Sequence, residues 1–283
     1  AVARLRHAVM TGRVGQRRIE YAQIGHGSPV VVFENGLGAS MRHWSEVFPE
    51  IGNEATVFAY NRPGYGGSEP ASTPRDGAHV VDELRALLRS RALAPPYVLV
   101  GHSLGGLYLQ LFARKYPDEV AGLVLVDSTH PTQMEGAGAI ERQPPWARFF
   151  FRWFVTGDLR KEFDAAPATG QEVLQLATVT GKPVWVLSAI DTSTSVAVRH
   201  ANEKSADIAR LSPGSRQLRA RAISGVRRTD AAQTRGARGR RARVSDAPGV
   251  AAHRAEGQLL ENRPGRQAPI VRGRLHDGAR VVE

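Results

Sequence analysis

Apolar positions along the chain fall into short unbroken runs separated by segments of helical period. Between residues 11 and 33 polar turns alternate with Arg18-Ile19-Glu20-Tyr21-Ala22 and then Val30-Val31-Val32-Phe33. This predicts two or three strands, joined through Gly25-His26-Gly27-Ser28-Pro29. Thr56-Val57-Phe58-Ala59-Tyr60 predicts another, closed by the Gly-rich stretch 61–68. Within 78–91 the apolar side chains sit at Val80, Val81, Leu84, Leu87 and Leu88, the spacing of a one-sided helix. Pro95-Pro96 ends that unit. Tyr97-Val98-Leu99-Val100 then reads as a buried strand, 104–116 as a helix, and 122–126 and 182–187 as further buried strands. Short, fully apolar strands alternating with helices imply an α/β chain with a mostly parallel central sheet covered on both faces.

Residues 132–181 interrupt the rhythm. They carry Trp146, Phe149, Phe150, Phe151, Trp153 and Phe154 and no strand-like run. They fit either a helical cap over the carboxyl edge of the sheet or packed helices of the main layer. A stretch of about 50 residues exceeds what one crossover needs, which favours the cap. The organisation expected is a core in two parts, 1–131 and 182–217, a helical cap at 132–181, and a tail at 218–283.

Candidate chemistry enters at Gly101-His102-Ser103-Leu104-Gly105-Gly106, which follows a buried strand and opens a helix. A Gly-x-Ser-x-Gly pentapeptide in that context is a nucleophile elbow. The serine occupies a strained strand-to-helix turn, and side chains at Gly101 or Gly105 would collide with neighbouring backbone. The turn projects the hydroxyl beyond the sheet edge. It also leaves the Leu104 N–H at a helix N-terminus, suited to stabilising an oxyanion.

With these residues the sequence resembles the α/β-hydrolase superfamily over roughly 15–217. After the strand at 30–33, Glu34-Asn35-Gly36-Leu37-Gly38-Ala39-Ser40 looks like the family's His-Gly-x-x oxyanion loop, with Asn35 where His is commonest. Asn61-Arg62-Pro63-Gly64-Tyr65-Gly66-Gly67-Ser68 resembles its Asp-x-x-Gly-x-Gly-x-Ser loop. The resemblance implies Ser103 as nucleophile, the N–H groups of Leu37 and Leu104 as oxyanion donors, and a triad in the chain order Ser, acid, His. It implies an acyl-enzyme on a small ester-like substrate (ester, lactone, thioester or amide). A serine nucleophile argues against the dehalogenase and epoxide hydrolase branches, which use Asp there. Two acids compete. Asp191 lies just past the seventh strand, where most members place it; Asp127 lies at the end of the sixth. The spacing around Asp191 is a little short, which favours Asp127. No metal or organic cofactor is implied.

The pattern breaks where the base should be. The eighth strand and its Ser-Gly-His are expected near 218–227, but the sequence there, Leu218-Arg219-Ala220-Arg221-Ala222-Ile223-Ser224-Gly225-Val226-Arg227, shows no buried-strand run and puts Val226 where His belongs. Of the nine histidines, His102 neighbours the nucleophile. His43, His79 and His130 flank the wrong elements, His200 opens a helix, and His253 and His276 lie in the tail. Without a base, general-base activation worth about 10²–10⁴-fold is lost.

Composition shifts at the same point. The chain has 283 residues, a net charge of +11 and no cysteine, which excludes a disulfide framework, a thiolate metal site and a Cys nucleophile. Residues 211–283 hold 16 arginines, no lysine and 6 acids, leaving +10, while 1–210 carry +1; all 19 aromatics precede residue 211. Three readings fit this tail: a phosphate-contacting extension without aromatics for stacking, an irregular tail, or a displaced reading frame of a GC-rich gene. Nucleic acid is therefore disfavoured as partner. No run of 18 apolar residues predicts a membrane span, no signal-peptide core opens the chain, and the cytoplasm is the default compartment. The rival to a serine hydrolase is a non-catalytic hydrolase-like protein, whether ligand-binding or defective.

Overall fold

The computed structural model describes residues 8–135, 139–190, 196–211 and 214–222, together with strand backbone at 255–260, 272–275 and 279–282. In chain order the elements are β1 (Val9–Val14), β2 (Arg17–Ile24), β3 (Val30–Glu34), a one-turn helix α1 (Phe48–Ile51), β4 (Thr56–Tyr60), α2 (Gly77–Ser90), β5 (Tyr97–His102), α3 (Leu104–Lys115), β6 (Val120–Val126), α4 (Pro145–Phe154), α5 (Gly157–Gln175), β7 (Val184–Ile190), α6 (Val196–Asp207) and β8 (Arg216–Ala222). The sheet order is β1-β2-β4-β3-β5-β6-β7-β8. β2 runs antiparallel to β1 and β4, and every pair from β4 to β8 is parallel. The predicted mostly parallel α/β sheet is thus present. Strands β9 (Ala255–Leu260), β11 (Ala279–Val282) and β10 (Arg272–Leu275) extend it past β8.

Period-two alternation sorts the core. Val30 and Val32 of β3, with Phe58 and Tyr60 of β4, join one buried cluster with α2 and α3. Val31 and Phe33, with Val57 and Ala59, join the other, closed by Met41, Trp44 and Phe48. Strands buried on both faces must be apolar nearly throughout, which is why 30–33 and 57–60 read as unbroken runs. In α2 the buried positions include Val80, Val81, Leu84, Leu87 and Leu88, the five picked out by their spacing. The Asp76 side chain caps this helix by accepting from the His79 N–H.

Residues 216–222 form a parallel strand beside β7, in register from Trp185↔Arg216 to Ile190↔Arg221. No apolar run marks it, because ladder hydrogen bonds use the backbone alone. Arg216 meets the neighbouring strand through its guanidinium, 5.2 Å from the Trp185 ring centroid.

Within 132–181 the described residues form helices and no strand. α5 packs on α2 and α3 and buries Ala166, Thr169, Gly170 and Val173. Trp146, Phe149 and Trp153 of α4 are 75%, 60% and 63% exposed; spaced i, i+3, i+7, they form one outward stripe. These three therefore lie outside the buried core. Among the described residues no helix is long and apolar enough to cross a membrane.

Candidate active site

Ser103 caps α3 at φ 51° and ψ −124°, a left-handed backbone that a non-glycine residue adopts only when its surroundings impose it. Its N–H donates to the Val126 carbonyl at 3.1 Å, and its own carbonyl accepts from Gly106 (2.9 Å) and Thr129 (3.0 Å). The elbow is thereby tied to the last residue of β6 and to the segment just past it. The glycines act by the close approach the sequence implied. A Cβ on Gly101 would lie 2.7 Å from Gly106 Cα; one on Gly105 would overlap the Asn35 carbonyl and lie 2.6 Å from that of Glu34. A third glycine, Gly106, faces Ser128 with no room for a side chain.

The loop after β3 passes directly over this turn. A Cβ on Gly36 would sit 3.2 Å from Ser103 Cβ and 3.0 Å from His102 Nδ1. Leu104 is buried and begins α3, where the first N–H groups have no intrahelical acceptor. The structure therefore brings Ser103, Leu104 and the loop carrying Leu37 together.

Asp127 sits at the end of β6 with φ 40°. Its N–H donates to the Leu187 carbonyl at 2.8 Å, and its Oδ1 accepts from the Ala189 N–H at 2.6 Å, so the carboxylate ties β6 to the end of β7. Asp191, His253 and His276 lie outside the described residues. Among the described residues no histidine is hydrogen-bonded to the Ser103 hydroxyl. His79 pairs with Asp76, and His26 and His43 are exposed. His200 buries its Nε2, which has no hydrogen-bond partner among the described residues. Burial holds the His102 pKa below the usual imidazole range, against the opposing charge of Asp127.

Buried His130 accepts at Nδ1 from the Thr132 N–H at 3.1 Å. Burial first, and the Lys204 charge second, push its pKa down to about 4. An imidazole that stays neutral in the fold, but protonates near 6.5 once unfolded, contributes stability above about pH 6.5. That stability is lost as the pH falls toward 4. Wild-type protein should lose up to about 3 kcal/mol from this group between pH 7 and 4 in urea titrations. His130→Asn should flatten that slope, and an unchanged slope would refute the assignment.

The residues that spacing and motif did not reveal are charged and buried. Arg62 is 1% exposed, and Glu34 and Glu162 are fully buried. Arg62 Nη1 donates to Glu34 Oε1 (2.6 Å) and the Asn35 carbonyl (2.6 Å). Its Nη2 donates to the Gly36 carbonyl (3.0 Å) and Glu162 Oε2 (2.8 Å), and its Nε to Glu162 Oε1 (3.0 Å). Tyr60 donates to Glu34 Oε2 at 2.6 Å, and Tyr65 to Glu162 Oε2 at 2.8 Å. Arg75 bridges Glu162 and Glu83, and Arg17 ends the chain on Glu83. Cations and anions alternate. Burial alone would lower the Arg62 pKa, but Glu162 and Glu34 outweigh it and raise the pKa well above the ordinary value. Burial raises the Glu34 pKa despite Arg62. The one hint in the sequence is Glu34 itself, a carboxylate ending an otherwise apolar strand.

The alpha/beta hydrolase fold family matches residues 29–222. Among curated proteins, the chain is 35% identical over 103 residues to the uncharacterized protein YqjL of Bacillus subtilis (strain 168), covering 36% of this chain and 41% of that protein. It is 29% identical over 122 residues to a human (lyso)-N-acylphosphatidylethanolamine lipase, covering 42% and 36%. The chain thus spans less than half the length of these relatives. A hydrolase from Pseudomonas aeruginosa PA01 superposes with a TM-score of 0.53 at 18% identity, over 75% of this chain and 89% of that one, a likeness of fold.

Proposed function

The chain belongs to the alpha/beta hydrolase fold family, and on that premise we propose that it is a serine hydrolase acting on a small ester-like substrate through Ser103. The observation that carries the reading is the left-handed Ser103 at the start of α3 with the Gly36 loop against it. Ser103 Oγ attacks the carbonyl carbon and its proton passes to a base. The carbonyl oxygen becomes an oxyanion facing the N–H groups of Leu37 and Leu104. The C–O bond to the leaving group then breaks, and the departing alkoxide takes a proton. Water hydrolyses the acyl-serine by the same steps. Asp127 or Asp191 orients the base. None of the described histidines is hydrogen-bonded to Ser103, which favours slow turnover and supports a second reading, a hydrolase-like protein that binds its ligand without efficient catalysis.

Both readings are separated by p-nitrophenyl acetate hydrolysis alongside labelling by a fluorophosphonate. A serine hydrolase labels at one site and turns over, and Ser103→Ala loses both, a fall of about 10³-fold or more where the base is engaged. Labelling equal to that of Ser103→Ala would sink the catalytic reading.

A further inference from the structure

We propose that Arg62 and Glu162 are positioning residues that aim the Leu37 N–H as an oxyanion donor, an inference that rests on the serine hydrolase reading. The Gly36 carbonyl and the Leu37 N–H belong to one planar trans unit, so they point in opposite directions. Arg62 Nη2 holds that carbonyl at 3.0 Å, and Nη1 holds the preceding Asn35 carbonyl at 2.6 Å. A guanidinium is a rigid fork of donors, so two successive peptide planes are set by one side chain. The Leu37 N–H is thereby directed away from Arg62, in a loop that touches Ser103 through Gly36.

Arg62 cannot aim anything unless it is itself held. Glu162 takes its Nε and Nη2 edge in a fork-to-fork pair, the geometry in which arginine–carboxylate contacts carry direction as well as energy. The rings of Tyr65 and Tyr108 lie 4.9 and 5.4 Å from the guanidinium carbon. Tyr65 and Arg75 in turn fix Glu162. Glu162 comes from α5, whose first turns reach the same loops. Asp158 accepts from the Ala71 N–H at 2.7 Å, and Leu159 lies 3.5 Å from where a Cβ of Gly38 would be. Docking of α5 therefore completes the oxyanion loop, although no residue of α5 is asked to touch substrate.

A network kept only for stability is a poor explanation, since buried ion pairs replaced by apolar groups of similar volume are often neutral or better. The test is saturation kinetics of fluorophosphonate labelling on the full chain, giving a maximal rate and a half-saturating concentration. Glu162→Gln keeps the shape and removes the charge. It is expected to lower the maximal rate about 10–100-fold, the cost of a displaced donor, with half-saturation unchanged. Tyr65→Phe should lower it about 3–10-fold, because the hydroxyl donates to Glu162 and also accepts from the Gly38 N–H at 3.5 Å. Leu88→Ala, a core truncation in α2, should lower thermal stability but leave the maximal rate alone, separating position from stability. If Glu162→Gln does not fold, Tyr65→Phe decides. A folded Glu162→Gln, or Tyr65→Phe, labelling at the wild-type maximal rate overturns this proposal alone. Wild-type labelling no faster than Ser103→Ala overturns the serine hydrolase reading and this proposal with it.

Discussion

Replacing Arg62 with alanine should destabilise the protein by about 3–5 kcal/mol, the cost of stranding a buried charge. Two fully buried carboxylates, Glu34 and Glu162, would then share a site without the cation that lies between them. Against a typical total stability of about 5–15 kcal/mol, that loss brings the fold near its threshold. The cause would be the unpaired charge rather than a missing contact, and this gives the prediction a second limb. Combining Arg62→Ala with Glu34→Gln and Glu162→Gln should recover part of the stability. The pH dependence has a definite sign. Burial already holds the Glu34 pKa above its ordinary value despite Arg62, and removing the arginine raises it further. A carboxyl group whose folded pKa is raised contributes stability at low pH and loses it as the pH rises through that pKa. The variant should therefore be closer to wild type at pH 5 than at pH 8. Urea unfolding at the two pH values measures this, and a loss below about 1 kcal/mol at pH 8 would contradict the buried network.

Gly105→Ala should lower labelling of Ser103 to about 1% of the wild-type rate, the order of loss for a misplacement near 1 Å. It should also cost about 1–3 kcal/mol of stability through overpacking. The added methyl would meet the backbone carbonyls of Glu34 and Asn35, and backbone at the end of a central strand cannot step aside as a side chain can. Relief requires the end of β3 and the Gly36 loop to lift from the elbow, which separates Leu37 from Ser103. Gly157→Ala is the control. Its Cβ meets nothing within 4 Å, though its φ of +61° adds strain, so it should lower stability by about 1 kcal/mol and leave labelling intact. Equal labelling of Gly105→Ala and wild type would show that the loop does not rest on the elbow.

Much of the architecture was legible because it rests on local, periodic signals. A parallel strand buried on both faces must be apolar at consecutive positions, and 30–33, 57–60 and 97–100 are. A one-sided helix must repeat at three to four residues, and Val80, Val81, Leu84, Leu87 and Leu88 do. The elbow was legible because a serine forced to positive φ between close-packed backbones demands glycine on both sides. The strand at 216–222 was not legible, because its pairing with β7 uses backbone groups that carry no residue signature. The outward face of α4 was not legible either. An aromatic run around a whole helix does not say which side meets the core.

Local sequence is enough for the buried apolar strands up to β7, the one-sided helix at 77–90 and the strained turn holding Ser103, since each follows from contacts within a few residues or from a period along the chain. The tertiary structure alone decided what surrounds that turn. Arg62 and Glu162 are 100 residues apart and Arg62 and Glu34 are 28 apart, and any of them could equally have been a solvated surface charge. They form one network because folding excludes water from all three, and a charge without water must find its opposite. Long-range pairing of that kind leaves no trace in spacing, which is why the residues proposed to aim the oxyanion donor appear only once the chain is folded.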